Sequence, residues 1–172
     1  MTLFAPRLVL LLALPLAATA AAAAPSEALR AEFAAAYAAP SLDRSGDSAA
    51  LRSYVLMPWL EAARARVALA DGSAESLKAA RQFLATAGEA VHSRELRRAV
   101  LSQAAANADW ALFMAEWRDS ASNDTLSCLQ LDARRATAAS AELAKEIAER
   151  WQAEASLPEA CSSSLAWLKT QP

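Results

Sequence analysis

Alanine supplies 48 of the 172 residues of this chain, while glycine supplies only 3. Alanine has the best intrinsic helix propensity and glycine nearly the worst, since alanine loses no side-chain entropy and glycine loses the most backbone entropy. Past the N-terminal apolar run, β-branched residues are scarce and no alternating apolar–polar stretch reaches strand length. The fold class that follows is all-α. The same feature has a cost, because each buried alanine removes little apolar area and larger side chains must supply most of the hydrophobic stabilisation. Trp59, Trp110, Trp117, Trp151 and Trp167 are spread about one per expected helix, as packing anchors are. The alternative is that one or two of these rings stack on glycan.

Capping residues and breakers divide the chain into short helices. A first helix is expected from Ser26 to Ala38, ending before Pro40. "SLDRSGDS" reads as a loop, with Asp47 or Ser48 as the N-cap of "AALRSYVL". Pro58 either ends that helix or starts the next, because it lacks an N–H and restricts Met57. "WLEAARARVALA" stops at Asp71-Gly72, Ser73 caps "AESLKAARQFLATA" up to Gly88, and Ser93 caps "RELRRAVLSQAAA". The polar knuckle Asn107-Ala108-Asp109 then divides two stripes: Leu96, Val100 and Ala104 before it, and Trp110, Phe113, Met114 and Trp117 after it. Two helices folded into a hairpin, with Asp109 as N-cap and Trp110 first, are expected here; one kinked helix is the alternative. In the next segment "TAAS" (Thr137 to Ser140) holds no Gly or Pro, and a break there depends on Ser140 as a cap. Pro158, followed by Glu159, is expected in the first turn of a last helix running through Leu168. Helix pairs of about 30–36 residues result, the size of a helix-turn-helix repeat. With an apolar helix followed at once by "WLKTQP", the array is expected to be unfinished.

The N-terminus has one cation, Arg7, then an apolar run from Leu8 to Ala18, then small residues. The run is too short to span a bilayer and reads as a secretory signal over residues 1–24, cut between Ala20 and Ala24. Residues 25–172 would then form one helical domain outside the cytoplasm, with no membrane attachment after cleavage. The formal net charge of −2 argues against a nucleic-acid partner. The densest basic cluster, "RELRR" with Arg94, Arg97 and Arg98, is read as a solvated helix face. Cys128 and Cys161, a lone pair in an exported chain, are read as one disulfide. They are too few with His92 for a metal site, and too far apart for a C-x-x-C redox pair. Each lies near the start of a helix with one helix between them, so the bond would staple consecutive helix pairs.

Catalytic patterns are missing. The chain has no Gly-rich phosphate loop and no Cys/His cluster, and no cofactor is called for. His92, the single histidine, reads as a turn residue. Glu61, which follows the apolar "PWL", reads as a structural hydrogen-bonding group on a buried shoulder; glycan cleavage would need a carboxyl of raised pKa in a cleft.

The ordered set of segments resembles a known family. "YVLMPWLEAARARVAL", with Tyr54, Leu56, Pro58, Leu60 and Glu61, resembles the Y-x-L-x-P-aromatic-L-E segment of soluble lytic murein transglycosylases. "RELRRAVLSQAAANADWALFM" is similar to the following family stretch, whose helix also breaks at an Asp-Trp, here Asp109-Trp110. "CLQLDARRA" through "PEAC" resembles the region of that family's disulfide, Cys128 to Cys161 here. The resemblance covers Tyr54 to Leu168. It implies a right-handed superhelix (an α-solenoid) of short helix hairpins, the N-terminal part of a ring-shaped periplasmic scaffold. It also implies that cleavage of the MurNAc–GlcNAc bonds of peptidoglycan belongs to a separate lysozyme-like domain with one acid–base glutamate. The E-S and G-L-M-Q motifs of that domain do not occur in these 172 residues, so no catalytic residue carries over. The partners implied are the glycan strand, met through that other domain, and other cell-wall proteins. A free-standing periplasmic helical-repeat adaptor for protein partners is the alternative. Where the family often has Gly, this chain has "TAAS".

Overall fold

The computed structural model describes residues 24–153 and 156–171, and the expected export signal lies outside them except for Ala24. Among the described residues there are nine α-helices and no strand, as the alanine and glycine content led us to expect. The helices are α1 (Glu27–Ala38), α2 (Ala49–Arg52), α3 (Met57–Leu69), α4 (Ala74–Ala87), α5 (Arg94–Ala106), α6 (Trp110–Glu116), α7 (Asp124–Ala138), α8 (Ala141–Ala153) and α9 (Ser162–Leu168). Single 3-10 turns precede α5, α7 and α9.

Side-chain caps start six of these helices. The first N–H groups of a helix have no intrahelical acceptor, and a short polar side chain just upstream can supply one. Ser26, Ser48 and Ser73 accept from the N–H groups of Leu29, Leu51 and Ser76 at 3.0–3.2 Å. Asp109 accepts from Leu112 at 3.0 Å, Asn123 from Leu126 at 2.8 Å and Ser140 from Leu143 at 3.1 Å. The Ser140 bond explains how "TAAS" breaks the chain without Gly or Pro. The knuckle at 107–109 does separate two helices. Asp109 N–H reaches back to the Ala104 carbonyl (2.8 Å) and Ala108 N–H to that of Ala105 (3.0 Å), the double bond pattern that closes a helix over a left-handed residue. That residue is Ala108, with φ of 53°, where glycine would usually sit.

Three local expectations give way. "AALRSYVL" is helical only over Ala49–Arg52, because Ser53 turns its hydroxyl back to the carbonyls of Ala49 and Ala50 and the chain leaves the helix. Of the two readings open for Pro58 the second holds: it lies in the first turn of α3, where its missing N–H is no loss. Ser93 does not cap α5: its hydroxyl donates to the carbonyls of Gly88 (2.9 Å) and Ala90 (2.7 Å), while its backbone lies in a 3-10 turn. The last helix likewise begins after a 3-10 turn, at Ser162 rather than at Pro158.

Packing proceeds between near neighbours in the chain. α1 lies on α3, α3 on α4 and α5, α5 on α6 and α7, and α7 on α8 and α9. The apolar interior is accordingly distributed rather than central. Leu69, Ala80, Leu84, Leu96 and Val100 fill the space among α3, α4 and α5. Leu101, Ala104, Phe113, Leu126 and Ala133 do so among α5, α6 and α7, flanked by Trp110 and Trp117. Leu131, Leu143 and Ile147 join α7 to α8, with Leu165 and Trp167 of α9 against them. α5 and α7 therefore bury two faces each. Trp110, Trp117 and Trp167 serve as anchors at the edges of these clusters, whereas Trp59 packs on His92 and Trp151 is 52% exposed.

Candidate functional site

Five of the residues singled out from the sequence gather at the head of α3. Leu60 is fully buried, and Leu56 is the N-cap residue whose carbonyl accepts from Trp59 N–H at 2.9 Å. Pro58 lies exposed in the first turn. Tyr54 sets its ring edge-on to Phe33 of α1 at 5.3 Å. Glu61 accepts from Arg44 and, at 3.2 Å, from Arg64. Asp109 and Trp110 lie elsewhere, the first capping α6 and the second edge-on to Phe113 at 6.2 Å. The two groups serve separate positions in the fold.

Behind Glu61 stands a pair that escaped the sequence reading. Arg64, 3% exposed, gives both terminal nitrogens to the two Asp47 oxygens at 2.7 Å each. This fork-to-carboxylate geometry is the strongest form of charge-assisted hydrogen bond. It pins the loop before α2 to the middle of α3. The hydrogen bonds donated by Arg64 hold the Asp47 carboxyl below its ordinary range, and the same bonds raise the guanidinium in turn. The sequence offers Asp47 and Ser48 alike as the N-cap of α2; Ser48 is the cap, and Ser48 itself donates N–H and hydroxyl to Glu32.

The reading of "RELRR" as a solvated face is corrected. Arg94 is exposed, but Arg97 is 4% exposed and donates to the carbonyls of Gly88 and Glu116 (both 3.1 Å) and to the Glu116 carboxylate (3.2 Å). Arg98, half-buried, donates to the carbonyls of Ala121 (3.0 Å) and Ser122 (3.3 Å). Short helices leave many terminal carbonyls without partners, and these two guanidinium groups satisfy several. Burial lowers the Arg97 pKa, with Arg118 adding like-charge repulsion. The hint lay in spacing, because Arg97 shares a helical stripe with Leu101 and Ala104.

A second joined region is the seam between α7 and α9. Cys128 and Cys161 form a disulfide, with Cα atoms 4.7 Å apart. Farther along, Ser164 donates to Asp132 at 2.5 Å and Arg135 to Ser163 at 3.1 Å. Asp132 and Ser164 are both buried.

Clefts open on two sides of α3. On one side an apolar cleft of about 330 Å³ is lined by Met57, Pro58, Phe83 and Ala87. On the other, along α5, a cleft of about 200 Å³ is walled by Tyr37, Trp59, His92 and Glu95, and a wider one of about 520 Å³ by Gly72, Ser102, Gln103 and Asn107. Arg66 borders both. His92 is part of a turn, its ring 4.8 Å from Trp59 and 5.9 Å from Phe83.

The hydrogen bonds and ion pairs of these groups brace the fold. Among the described residues no cluster of three His, Cys, Asp or Glu could hold a metal ion. Asp43 and Asp71 are held below their ordinary carboxyl range, each chiefly by a backbone N–H, from Ser45 and Ser73. With Asp47 they are shifted opposite to a general acid, which needs a raised pKa. No helix among the described residues is long and apolar enough to cross a membrane. Searches of protein-family models, curated proteins and solved structures found no match to this chain.

Proposed function

We propose that the chain is a non-catalytic helical scaffold, the superhelical portion of an exported lytic transglycosylase that cleaves peptidoglycan MurNAc–GlcNAc bonds in cell-wall turnover. The observation that carries this reading is the staple between Cys128 and Cys161, which joins helices two apart in chain order. That order is what the resemblance over Tyr54 to Leu168 implies. The continuous row of α1, α3, α5, α7 and α9 supports it, since a right-handed superhelix of helix pairs needs each pair to pack on the next. In this reading the chain acts in the periplasm, shaping part of a ring beside a lysozyme-like catalytic domain. The second reading, a free-standing periplasmic adaptor for protein partners, is favoured by the apolar cleft at Met57 and Phe83.

The mass of the native protein decides between them. An antibody against the segment 54–69 is used on fractionated source cells. A periplasmic band several-fold heavier than 18.2 kDa supports the transglycosylase scaffold. A band at or just below that mass supports the adaptor, and a cytoplasmic band overturns both. The purified chain by itself is expected to leave no clearing band in a peptidoglycan zymogram.

A further inference from the structure

We infer that the groove between α3 and α5 holds the C-terminal residue of a partner peptide, one that ends in an aromatic or large apolar side chain and a free carboxylate. The groove is open because of where alanine falls. Trp59, Ala63 and Arg66 stand four and three residues apart and share one face of α3, while Ala99 and Ala106, seven apart, share the facing side of α5. The short alanine side chains leave the space between the helices unfilled, and its two clefts have Arg66 as a common wall.

Each part of the lining selects a different group. The first cleft, of about 200 Å³, is smaller than a pocket for a whole drug-sized ligand and suits one large side chain. Trp59 and Tyr37 wall it with aromatic rings, and buried Ala62 and Leu96 form an apolar floor, so an aromatic side chain gains both burial and ring contact. Arg66 is exposed and makes no hydrogen bond or ion pair among the described residues, whereas the carboxylate of this cleft, on Glu95, already accepts from Arg98 at 2.7 Å. The uncommitted charge is therefore a guanidinium, whose fork matches a carboxylate. Beyond Arg66 the second cleft, of about 520 Å³, has room for the preceding residues. Gln103 makes no side-chain hydrogen bond among the described residues, and its Oε1 is buried without a donor. Turning that amide into the cleft breaks no bond and offers an acceptor to a peptide N–H. In a C-terminal residue the side chain, the carboxylate and the N–H all leave one Cα, so a single residue meets the three demands.

Other occupants fit less well. A nucleic acid needs several cations, and among the described residues Arg66 is the one arginine or lysine lining the two clefts. An apolar tail leaves Arg66 and Gln103 without partners. A peptide taken up by strand addition needs an open sheet edge, and the described chain has no strand.

Calorimetric titration of the purified chain with an N-acetylated, alanine-rich hexapeptide ending in phenylalanine tests the assignment. Its C-terminally amidated form, the same peptide ending in glycine, and free N-acetylphenylalanine are titrated in parallel. The free-acid hexapeptide is expected to bind, with each of the other three about tenfold or more weaker. Tyr37→Ala and Arg66→Ala, both at exposed side chains, are each expected to weaken binding by a similar factor with an unchanged circular dichroism spectrum. Arg94→Ala, which removes an exposed cation outside both clefts, is expected to leave it unchanged. No binding of the free-acid hexapeptide up to millimolar concentration, equal binding of the amide or glycine form, or binding indifferent to Arg66→Ala would overturn the inference. Equal binding of N-acetylphenylalanine would overturn it too, by making the site one for small aromatic acids. The site would serve either functional reading, and the mass of the native protein tests those readings separately.

Discussion

Ser164 donates its hydroxyl to Asp132 at 2.5 Å about one helical turn beyond the Cys128–Cys161 disulfide, so a covalent and a polar link stand side by side on the α7–α9 seam. Both links advance together along the two helices, 128 to 132 on one and 161 to 164 on the other. α7 and α9 therefore run in the same sense, with α8 as the return between them. α9 is a seven-residue helix, too short to be stable alone, and this seam with its packing on α8 holds it in place.

The polar link is expected to contribute measurably. Asp132→Ala leaves a buried Ser164 hydroxyl without its acceptor, and we expect a loss of about 1–3 kcal/mol in urea unfolding. Removing both partners, Asp132→Ala with Ser164→Ala, is expected to cost less than the sum of the single changes. Additive single effects below about 0.5 kcal/mol would show that the two groups do not depend on each other.

The disulfide closes a loop with a sequence separation of 33 residues. On the chain-entropy account such a closure stabilises by about 3–4 kcal/mol. Reduction, or Cys128→Ser with Cys161→Ser, is expected to lower the urea midpoint accordingly. Alkylation under denaturing, non-reducing conditions should label neither cysteine. Two labelled thiols would contradict the pairing.

Breaking the Asp47–Arg64 pair is expected to be among the more damaging polar changes. Both side chains are buried, at 7% and 3% exposure, and Arg64→Ala leaves the Asp47 carboxylate without its bidentate partner. About 3 kcal/mol of stability should be lost. The pH dependence has a definite sign. Because the folded carboxyl pKa is lowered, its contribution is complete above the unfolded value of about 3.9 and is lost as pH falls through the lower folded value. Asp43 and Asp71 shift in the same direction. Asp47→Asn should therefore flatten the stability–pH curve below about pH 4 without abolishing its slope. An unchanged curve would remove Asp47 from the account.

Ala108 occupies a left-handed position at the knuckle, with φ of 53°. An L-residue there costs about 1–2 kcal/mol, partly offset in a Gly variant by the greater entropy of the unfolded chain. Ala108→Gly is expected to raise stability by about 0.5–1 kcal/mol, read as an increase in melting temperature. A decrease would show that the backbone relaxes out of that conformation.

The helices were legible because their signals are local. Ser26, Ser73, Asp109 and Ser140 each stand one residue before a helix and bond three residues ahead, a geometry confined to one turn of chain. Ser93 has the same identity and setting, yet its hydroxyl donates to two carbonyls upstream, because Gly88 and Ala90 are brought beneath it by the turn after α4. Arg97 and Arg98 were misread for a related reason. Their carbonyl acceptors lie 9 to 24 residues away in chain order, at ends of other elements, and nothing local marks those carbonyls as needing donors. The groove was legible only in part. Trp59 stands out as a packing residue, but Arg66 and Gln103 carry no pattern.

By itself the sequence determined that this protein is helical, where most helices begin and end, and which two cysteines are available to pair. Those outcomes depend on backbone propensity and on hydrogen bonds within a turn, both of which act over a few residues. Tertiary structure alone decided which faces of α5 and α7 are buried twice, which guanidinium groups leave solvent, and where a groove opens beside α3. Those outcomes depend on polar groups and apolar area brought together from distant helices, and the free energy of each contact exists only once its partner has arrived.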